Sequence, residues 1–473
     1  MLTKRGEIFQ GTHRKQYVHR VLVSCLITTF IWITMPGSLF AGKNPEKEMS
    51  DTVESLCPQL FVNQGLLNSA ERDVLARCGE VKLQPGQSFD DLTEDQKNAL
   101  GWMTSKQSSS MKTTSVDISR PATNAINSRL ASLRTGGVGG LALNLNNRQT
   151  EPVLLAALNS DATGDEAVTR SILESGRFGV FINGLYATGD KDSTKNEDGF
   201  DFDVYGLLAG ADYRVTDQLI FGLAFSYQKT DADIDNNAGD TEVDGYGVSL
   251  YGTYYYGQFY INGIGTYGRS DYDTTRKVNY TVGGTVVDQK FDGDADADEY
   301  GYSFGTGYDF SHKGFDFGPY GRLNYHYTSI DDYKEKLSGN NKRPGFGLAL
   351  DIDDQNIKSL STNLGARASY AFTTGIGVVT PYARFDWQHE YENDTSAIRG
   401  SFVNGGQGSV PGAAAANDII IPSDDPDRDF YNLSLGVASV FPHGISAFVD
   451  YLTVLDLDDI TLHQFVGGVR FEF

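Results

Sequence analysis

Apolar and polar residues alternate along the chain in twelve runs between residue 177 and the C terminus. In the third run one face carries the large apolar residues Leu219, Phe221, Leu223, Phe225 and Tyr227, whereas the other face is small or polar. Alternation with period two predicts β-strands whose two faces meet different surroundings. The runs span residues 178–188, 204–214, 218–229, 243–256, 258–271, 298–310, 314–328, 356–372, 376–391, 429–441, 444–454 and 460–473.

The joins between these runs alternate regularly between short and long. Joins after even-numbered runs are short, namely 215–217, 257, 311–313, 373–375 and 442–443. The other joins are acidic and mostly longer, up to residues 392–428, and they include the acidic stretches 231–244 and 288–299 as expected loops. Short turns on one side and long loops on the other are typical of outer-membrane barrels. The pattern predicts an all-β membrane barrel of twelve antiparallel transmembrane strands, with a soluble β-sandwich as the alternative.

The last run ends in an aromatic face. Phe465, Phe471 and Phe473 share it, and Phe473 is the C-terminal residue. Such a strand resembles the signal that the outer-membrane barrel-assembly machinery reads. A soluble sheet would instead use these rings as core residues.

The N-terminal region indicates an exported protein. Five basic residues precede an apolar stretch at 21–32, and small residues follow up to Ala41, so residues 1–41 are predicted to be a signal peptide. Cys57 and Cys78 then remain as the mature cysteines and are expected to form a disulfide. Metal binding is the competing interpretation, but no histidine lies between residues 20 and 311.

Residues 42–118 are predicted to form a small helical module. Asn68 followed by Glu71 has the spacing of a capping box that opens a helix, and a further helix is expected at 93–103. The predicted disulfide would join the two arms of a helical hairpin. A module of this size cannot bury an elaborate core.

Residues 119–176 are predicted to contain a helix and a linker before the barrel domain at 177–473. The predicted helix has an apolar stripe that includes Leu130 and Leu133, and it ends at Gly136. Its polar face carries Asn127, Arg129 and Arg134. A barrel lumen is polar, so this helix suits a position inside the pore. An ordinary amphipathic helix of the small module is the alternative.

The segment Asn127-Ser-Arg-Leu-Ala-Ser-Leu-Arg134, the twelve runs, residues 381–390 and the terminal Phe473 together resemble the autotransporter translocator family. The resemblance covers roughly residues 119–473. It implies a barrel in the outer membrane of a Gram-negative bacterium, with a helix through the pore and an N-terminal passenger outside. It also implies as partners the membrane lipid, the barrel-assembly machinery and periplasmic chaperones, and a monomeric state.

Two features depart from the family pattern. Members that cut their own passenger do so between two asparagines before the helix, whereas Asn124 is followed here by Ala125. The passenger is also short and lacks repeats. The sequence therefore leaves open whether the passenger is cleaved and on which side of the membrane residues 42–118 lie.

Two sequence patterns resemble catalytic or ligand-binding motifs, but the predicted structure around them does not favour that chemistry. Gly301-Tyr-Ser-Phe-Gly305 resembles a hydrolase nucleophile elbow, but it lies inside an alternating run rather than between a strand and a helix. Asp294, Asp296 and Asp298 resemble the start of a calcium loop that lacks its glycine, so a solvated acidic loop is favoured over a weak calcium site. The formal charge of −23 disfavours nucleic acid as a partner.

The function predicted from these patterns is an autotransporter-type translocator that secretes or displays its own N-terminal segment. The alternative is a surface adhesin or a porin-like protein without secretion activity. Neither enzymatic activity nor a cofactor or metal is predicted.

Overall fold

The computed structural model describes residues 44–106, 108, 123–128, 130, 177–392, 397–425 and 427–473. The predicted signal peptide and the predicted helix residues Arg129, Leu133 and Arg134 lie outside these ranges. Within them, no helix combines the length and the apolar composition needed to cross a membrane.

Twelve long antiparallel strands form one closed barrel. Each strand pairs with its neighbours in the chain, and the first strand pairs with the last, from Gly179 opposite Glu472 to Lys191 opposite Ile460. The strands are β1 Phe178–Lys191, β2 Phe200–Thr216, β3 Leu219–Ile234, β4 Gly239–Tyr256, β5 Phe259–Val282, β6 Thr285–Tyr308, β7 Phe315–Ile330, β8 Gln355–Tyr370, β9 Gly377–Glu390, β10 Asp429–Phe441, β11 Ile445–Leu455 and β12 Ile460–Glu472. The prediction of a twelve-stranded antiparallel barrel is confirmed.

The two faces of the barrel wall differ as the alternation predicts. Large apolar side chains are exposed on the outside, including Phe221, Leu223, Phe225, Leu250, Phe304, Leu435 and Val449. An exposed apolar surface of this extent is suited to lipid. Inside, small residues make room for large ones: a Cβ added to Gly222 would lie 2.1 Å from the ring of Tyr251.

A belt of tyrosines runs across neighbouring strands on the outside of the wall. Ring contacts link Tyr186 with Tyr205, Tyr227 with Tyr246, Tyr267 with Tyr300, and Tyr300 with Tyr327, at centroid distances of 5.2 to 6.2 Å. Tyrosine rings settle where hydrocarbon meets water. The tyrosine belt therefore marks one membrane boundary.

Beyond the tyrosine belt lies the end of the barrel where residues 192–199, 235–238, 283–284, 331–354, 391–428 and 456–459 join the strands; we call it the loop end. The opposite end, with joins at 217–218, 257–258, 309–314, 371–376 and 442–444, is the turn end. Short strands Phe310–His312 and Phe372–Thr374 extend pairing there.

The acidic stretches 231–244 and 288–299 are mostly strand, so the prediction that they are loops is wrong. β5 and β6 have 24 residues each and continue past the tyrosine belt by about 15 residues, or roughly 50 Å at 3.3 Å per residue. The reason is that acidic residues alternate with apolar ones here. Asp292 and Asp294 face solvent, whereas Phe291 and Ala295 are buried on the other face.

Within residues 44–106 the helices are α1 Pro45–Val62, α2 Ser69–Val81 and α3 Glu94–Thr104, with a 3-10 turn at Phe89–Asp91. The predicted capping box is present, because Asn68 accepts from the Glu71 amide and Glu71 accepts from the Asn68 amide. Thr93 and Gln96 start α3 in the same way. In α1 the residues Met49, Val53, Leu56 and Leu60 recur every three or four positions and are buried. We call residues 44–106 the helical module.

Two long joins at the loop end form a small sheet of their own, which we call the loop sheet. Its strands are Tyr333–Lys334, Leu350–Ile352, Ile398–Phe402 and Ile419–Ile421. A short strand Lys336–Leu337 pairs with β6, and a single helical turn lies at Ala413–Ala416. The helical module, the loop sheet and the projecting β5–β6 hairpin share one apolar core.

Candidate functional site: the barrel lumen and its outer cap

A helix lies inside the barrel. Residues 123–128 and 130 are helical, and Ala125, Ile126 and Leu130 are almost fully buried. They pack in one cluster with side chains that point inward from the wall, including Phe181, Leu185, Tyr251, Tyr382, Phe448 and Val466. We call these residues the lumen helix. Two residues of the predicted pore helix, Asn127 and Leu130, belong to it.

The lumen helix is fastened to the wall through Ser128. Arg384 on β9 donates to the Ser128 hydroxyl at 3.1 Å and to the two carboxylate oxygens of Asp450 at 2.9 and 3.0 Å. The Tyr382 hydroxyl donates to Asp450 at 2.6 Å. A buried ion pair needs its remaining hydrogen-bonding positions filled, and the serine fills one of them. Sequence reasoning missed Ser128, because a helical serine carries no signal of its partner.

The lumen wall next to the helix carries a polar network. Asp386 accepts from the Tyr320 hydroxyl and from Asn363, each at 2.6 Å, and from Asn432 at 3.0 Å. Asn363 also donates to Gln388 at 2.9 Å. The strands that supply these groups are β7 to β10. The lumen is therefore polar at the level of the helix, and a partly open cavity lies between helix and wall.

The seam that closes the barrel is bridged by ion pairs at the turn end. Arg470 on β12 pairs with Asp212 on β2 and, at 3.2 Å, with Glu472. Arg214 reaches Glu472 from β2 at 3.0 Å. The predicted assembly-signal residues Phe465, Phe471 and Phe473 are exposed on the outer, lipid-facing side of β12. Phe471 and Phe473 lie at the turn end, whereas Phe465 is opposite Tyr186 at the level of the tyrosine belt.

The helical module sits over the loop end and is bound there by hydrogen bonds to the joins. Asp73 accepts from the backbone amides of Gly345 at 3.1 Å and Gly347 at 2.9 Å. Gly345 has a φ of +89°, which suits glycine. On the neighbouring join, Ser409 donates to Glu71 at 2.6 Å.

A buried ion pair lies where the module, the hairpin and the loop sheet meet. Arg276 on β5 contacts both carboxylate oxygens of Glu335 at 2.6 and 2.7 Å, and each side chain is 4% exposed. Arg276 also donates to the carbonyl oxygens of Leu348 at 2.8 Å and Trp102 at 3.4 Å. Glu335 accepts from the Leu350 amide at 2.8 Å. We call the module together with the loop sheet the outer cap.

Cys57 on α1 and Cys78 on α2 form a disulfide, with their Cα atoms 5.9 Å apart. Both residues are buried in the core of the outer cap. The bridge closes a segment of 21 residues in sequence separation and holds the two helices as one hairpin.

We expect Cys57→Ser/Cys78→Ser to lower the free energy of unfolding of the helical module by about 3 kcal/mol, because the open chain regains loop entropy. Urea unfolding followed by Trp102 fluorescence measures this change. Reduction of the unaltered protein should give the same shift, and the detergent-resistant barrel should be unaffected. An unchanged urea midpoint in both samples would contradict the prediction.

Glu80 on α2 has a raised carboxyl pKa because it is buried against the β5–β6 hairpin. Arg77 and the hydroxyls of Tyr280 and Thr285 oppose the shift without cancelling it. Burial also raises the pKa of Tyr280, whose hydroxyl donates to Glu80 at 3.2 Å. A carboxyl whose pKa is higher in the folded state stabilises the fold below its unfolded pKa, and that contribution is lost as pH rises through the folded pKa.

We therefore expect Glu80→Gln to flatten the pH dependence of the module's urea midpoint above about pH 4.5. At neutral pH the change should stabilise the module by less than about 1 kcal/mol, since the site is partly solvated. Glu94→Gln is the matched control, because Glu94 is 91% exposed in its pair with Lys97. A pH profile that Glu80→Gln leaves unaltered would refute the assignment.

The sequence patterns that suggested chemistry are placed in the strands. Ser303 faces the lumen from β6 and donates to Asn324 at 2.8 Å, without a strand-turn-helix around it. Asp294 and Asp296 face solvent and pair with Lys336 and Arg269. Within the part of the chain that the structure describes, no group of three or more His, Cys, Asp or Glu side chains could hold a metal ion.

The sequence model of the family described as the autotransporter beta-domain matches residues 180–452. An extracellular serine protease of Serratia marcescens is 25% identical over 214 residues, which are 45% of this chain and 19% of that protein. Outer membrane protein A of Rickettsia conorii is 26% identical over 258 residues, which are 52% of this chain and 12% of that protein. The chain spans less than a quarter of the length of these relatives.

Two solved structures with similar folds are translocator barrels. The translocator domain of the autotransporter NalP from Neisseria meningitidis has a TM-score of 0.47 and 14% identity, over 69% of this chain and 95% of that chain. The beta domain of the Bordetella autotransporter BrkA has a TM-score of 0.42 and 18% identity, over 63% of this chain and 100% of that chain.

Proposed function

The chain belongs to the autotransporter β-domain family, whose members are barrels of the Gram-negative outer membrane, and from this we propose that it exports its own N-terminal segment and keeps it docked outside. The displayed segment is the helical module, residues 44–106. The observation that carries the proposal is that the module packs on the loop end while the lumen helix, which follows it in the chain, lies inside the barrel. The translocator domain of this family is not itself catalytic.

The orientation of the barrel supports display on the outer side. Outer-membrane barrels place their long loops outside the cell and their short turns in the periplasm. The module contacts the joins of the loop end, and the tyrosine belt separates these contacts from the membrane-spanning wall. A segment that crosses the lumen from the turn end would leave the barrel at the loop end, where the module lies.

The polar contacts of the module favour retention over release. Asp73 and Glu71 tie it to two different joins, and Arg276 on β5 donates to the Trp102 carbonyl of the module at 3.4 Å. Asn124, where a self-cleaving relative would have the first of two asparagines, is followed by Ala125. We propose that residues 44–473 remain one covalent chain, without cleavage between module and barrel.

The remaining parts of the proposal concern biogenesis. Residues 1–41 direct export and are removed, residues 119–176 supply the pore helix and its linker, and Phe465, Phe471 and Phe473 present the assembly signal. Insertion involves the barrel-assembly machinery, with periplasmic chaperones guiding a monomeric chain. The protein itself uses no cofactor, catalyses no reaction and binds no nucleic acid.

Epitope tags on intact cells test the display. A tag placed directly before Asn44 should bind antibody on unbroken cells and stay cell-bound, as should a tag at 393–396. A tag at 371–376, in a periplasmic turn, is the matched control and should bind only after lysis. The proposal fails if the N-terminal tag behaves like the turn tag, or if it appears in the medium without the barrel.

A further inference from the structure

A second polar cavity in the lumen, partly open to its surroundings, is lined by three arginines. Arg322 on β7, Arg367 on β8 and Arg384 on β9 reach it from the wall, and Asn127 reaches it from the lumen helix. Among the described residues that line this cavity there is no carboxylate. Three guanidinium groups therefore line one polar cavity, and its described lining offers them no acidic partner.

Several donors at this cavity are buried without a partner among the described residues. Nη1 of Arg367, Nε of Arg384 and Nδ2 of Asn127 make no hydrogen bond to this part of the chain, and the three side chains are 4%, 8% and 6% exposed. Buried donors are normally satisfied, so unpaired ones at a cavity indicate a missing acceptor.

The carboxylates of the region leave one guanidinium uncompensated. Asp309 pairs with Arg367 at 2.8 Å, and Asp450 pairs with Arg384 at 2.9 Å. Arg322 forms no ion pair within the described part of the chain, and its guanidinium carbon lies 5.8 Å from the ring centre of Tyr320. Asp386 is already engaged by Tyr320, Asn363 and Asn432.

The strand register brings two of these guanidinium groups together. Arg367 and Arg384 are directly opposite each other on β8 and β9, at positions where side chains on the same face are close. One small anion at the cavity could therefore accept from unpaired donors on both strands.

We propose that Arg322, Arg367, Arg384 and Asn127 form a binding site for a small free oxyanion of the phosphate or sulfate class. Guanidinium groups match such anions with parallel N–H donors. Because the site joins the lumen helix to three strands, the anion holds the helix in the pore. The proposal does not rest on surface display, since every residue of the site lies within the barrel.

Thermal unfolding of the chain 44–473, folded in an uncharged detergent, tests the site with sodium phosphate and sodium sulfate as probes. Against sodium chloride of equal ionic strength, both should raise the unfolding temperature by a few degrees in a saturable manner. Arg322→Gln should weaken the apparent affinity by about tenfold or more, as expected for losing a charged hydrogen bond. Arg269→Gln, which removes a solvent-exposed guanidinium outside the lumen, should leave it unchanged.

Asn127→Ala provides a second variant that keeps every charge, and it should weaken binding less than Arg322→Gln does. Slower migration after boiling in SDS confirms that each variant folds as a barrel. The absence of a saturable effect in the unaltered chain would overturn the proposal, as would equal effects in Arg322→Gln and Arg269→Gln. Neither result would bear on the display of the module, which the epitope tags report separately.

Discussion

A barrel that begins at Ser175 is expected to conduct ions in planar bilayers roughly an order of magnitude better than the chain that begins at Arg120, because an unplugged lumen becomes a water-filled channel. The longer chain keeps the lumen helix, whose residues Ala125, Ile126 and Leu130 are almost fully buried against the wall. Their removal leaves the polar network around Asp386 and Arg384 facing water.

The comparison separates the helix from the outer cap. The chain 44–473 carries both, the chain 120–473 lacks the helical module but keeps the helix, and the chain 175–473 lacks both. The first two should conduct weakly, and the first should conduct least. Slower migration after boiling in SDS checks that each chain is a closed barrel. Equal conductance of the chains from Arg120 and Ser175 would show that the lumen helix does not block the pore.

The second large effect is expected at the buried ion pair of the outer cap. Glu335→Ala should destabilise docking of the helical module by about 3–5 kcal/mol, because it leaves the guanidinium of Arg276 buried without its partner. Limited proteolysis of the folded protein should then remove the module and spare the barrel, and the urea midpoint of Trp102 fluorescence should fall.

Two further variants distinguish the charge from the packing. Arg276→Met combined with Glu335→Leu removes both charges and keeps the volume, so most of the stability should return. Arg269→Ala breaks the solvent-exposed pair with Asp296, at 2.6 Å, and should cost less than about 1 kcal/mol. If Glu335→Ala and Arg269→Ala had similar effects, the buried pair would not hold the cap in place.

The membrane-spanning wall could be predicted from the sequence because lipid outside and polar groups inside impose strict alternation. Arg384, Asp386 and Asp450 point inward as the alternation requires, and Phe385 and Val449 point outward. Alternation needs no knowledge of partners, since each residue meets either lipid or lumen. The number of alternating runs gives the strand count, and the alternation of short turns with long loops gives the antiparallel order.

The projecting hairpin was not predicted because its many acidic residues suggested a solvated loop, although apolar residues alternate with them at the period of a β-strand. Asp292, Asp294 and Asp296 suggest a solvated loop, yet the residues between them form the inner face of a sheet. That inner face is stabilised by the helical module, which lies some 200 positions earlier in the chain. An acidic stretch of this kind can be assigned as a strand only when the element that packs on its apolar face is known.

Long-range polar contacts were equally beyond sequence reasoning. Asp73 binds the amides of Gly345 and Gly347, and Ser128 binds Arg384. Each contact depends on a side chain meeting a distant element at a particular angle. The loop sheet left a trace in the sequence, since Ile419–Ile421 is an apolar triplet within a polar join, but three residues are too few to predict a strand.

On the proposal that the helical module is exported, the core that it shares with the projecting hairpin would also give export a direction. A module of this size buries little apolar surface by itself, and the hairpin adds apolar surface to its core. Each segment that folds against the hairpin would be prevented from moving back into the lumen. Folding outside the barrel would thus make translocation one-directional. The free energy for translocation would then come from the burial of apolar surface during folding, rather than from nucleotide hydrolysis.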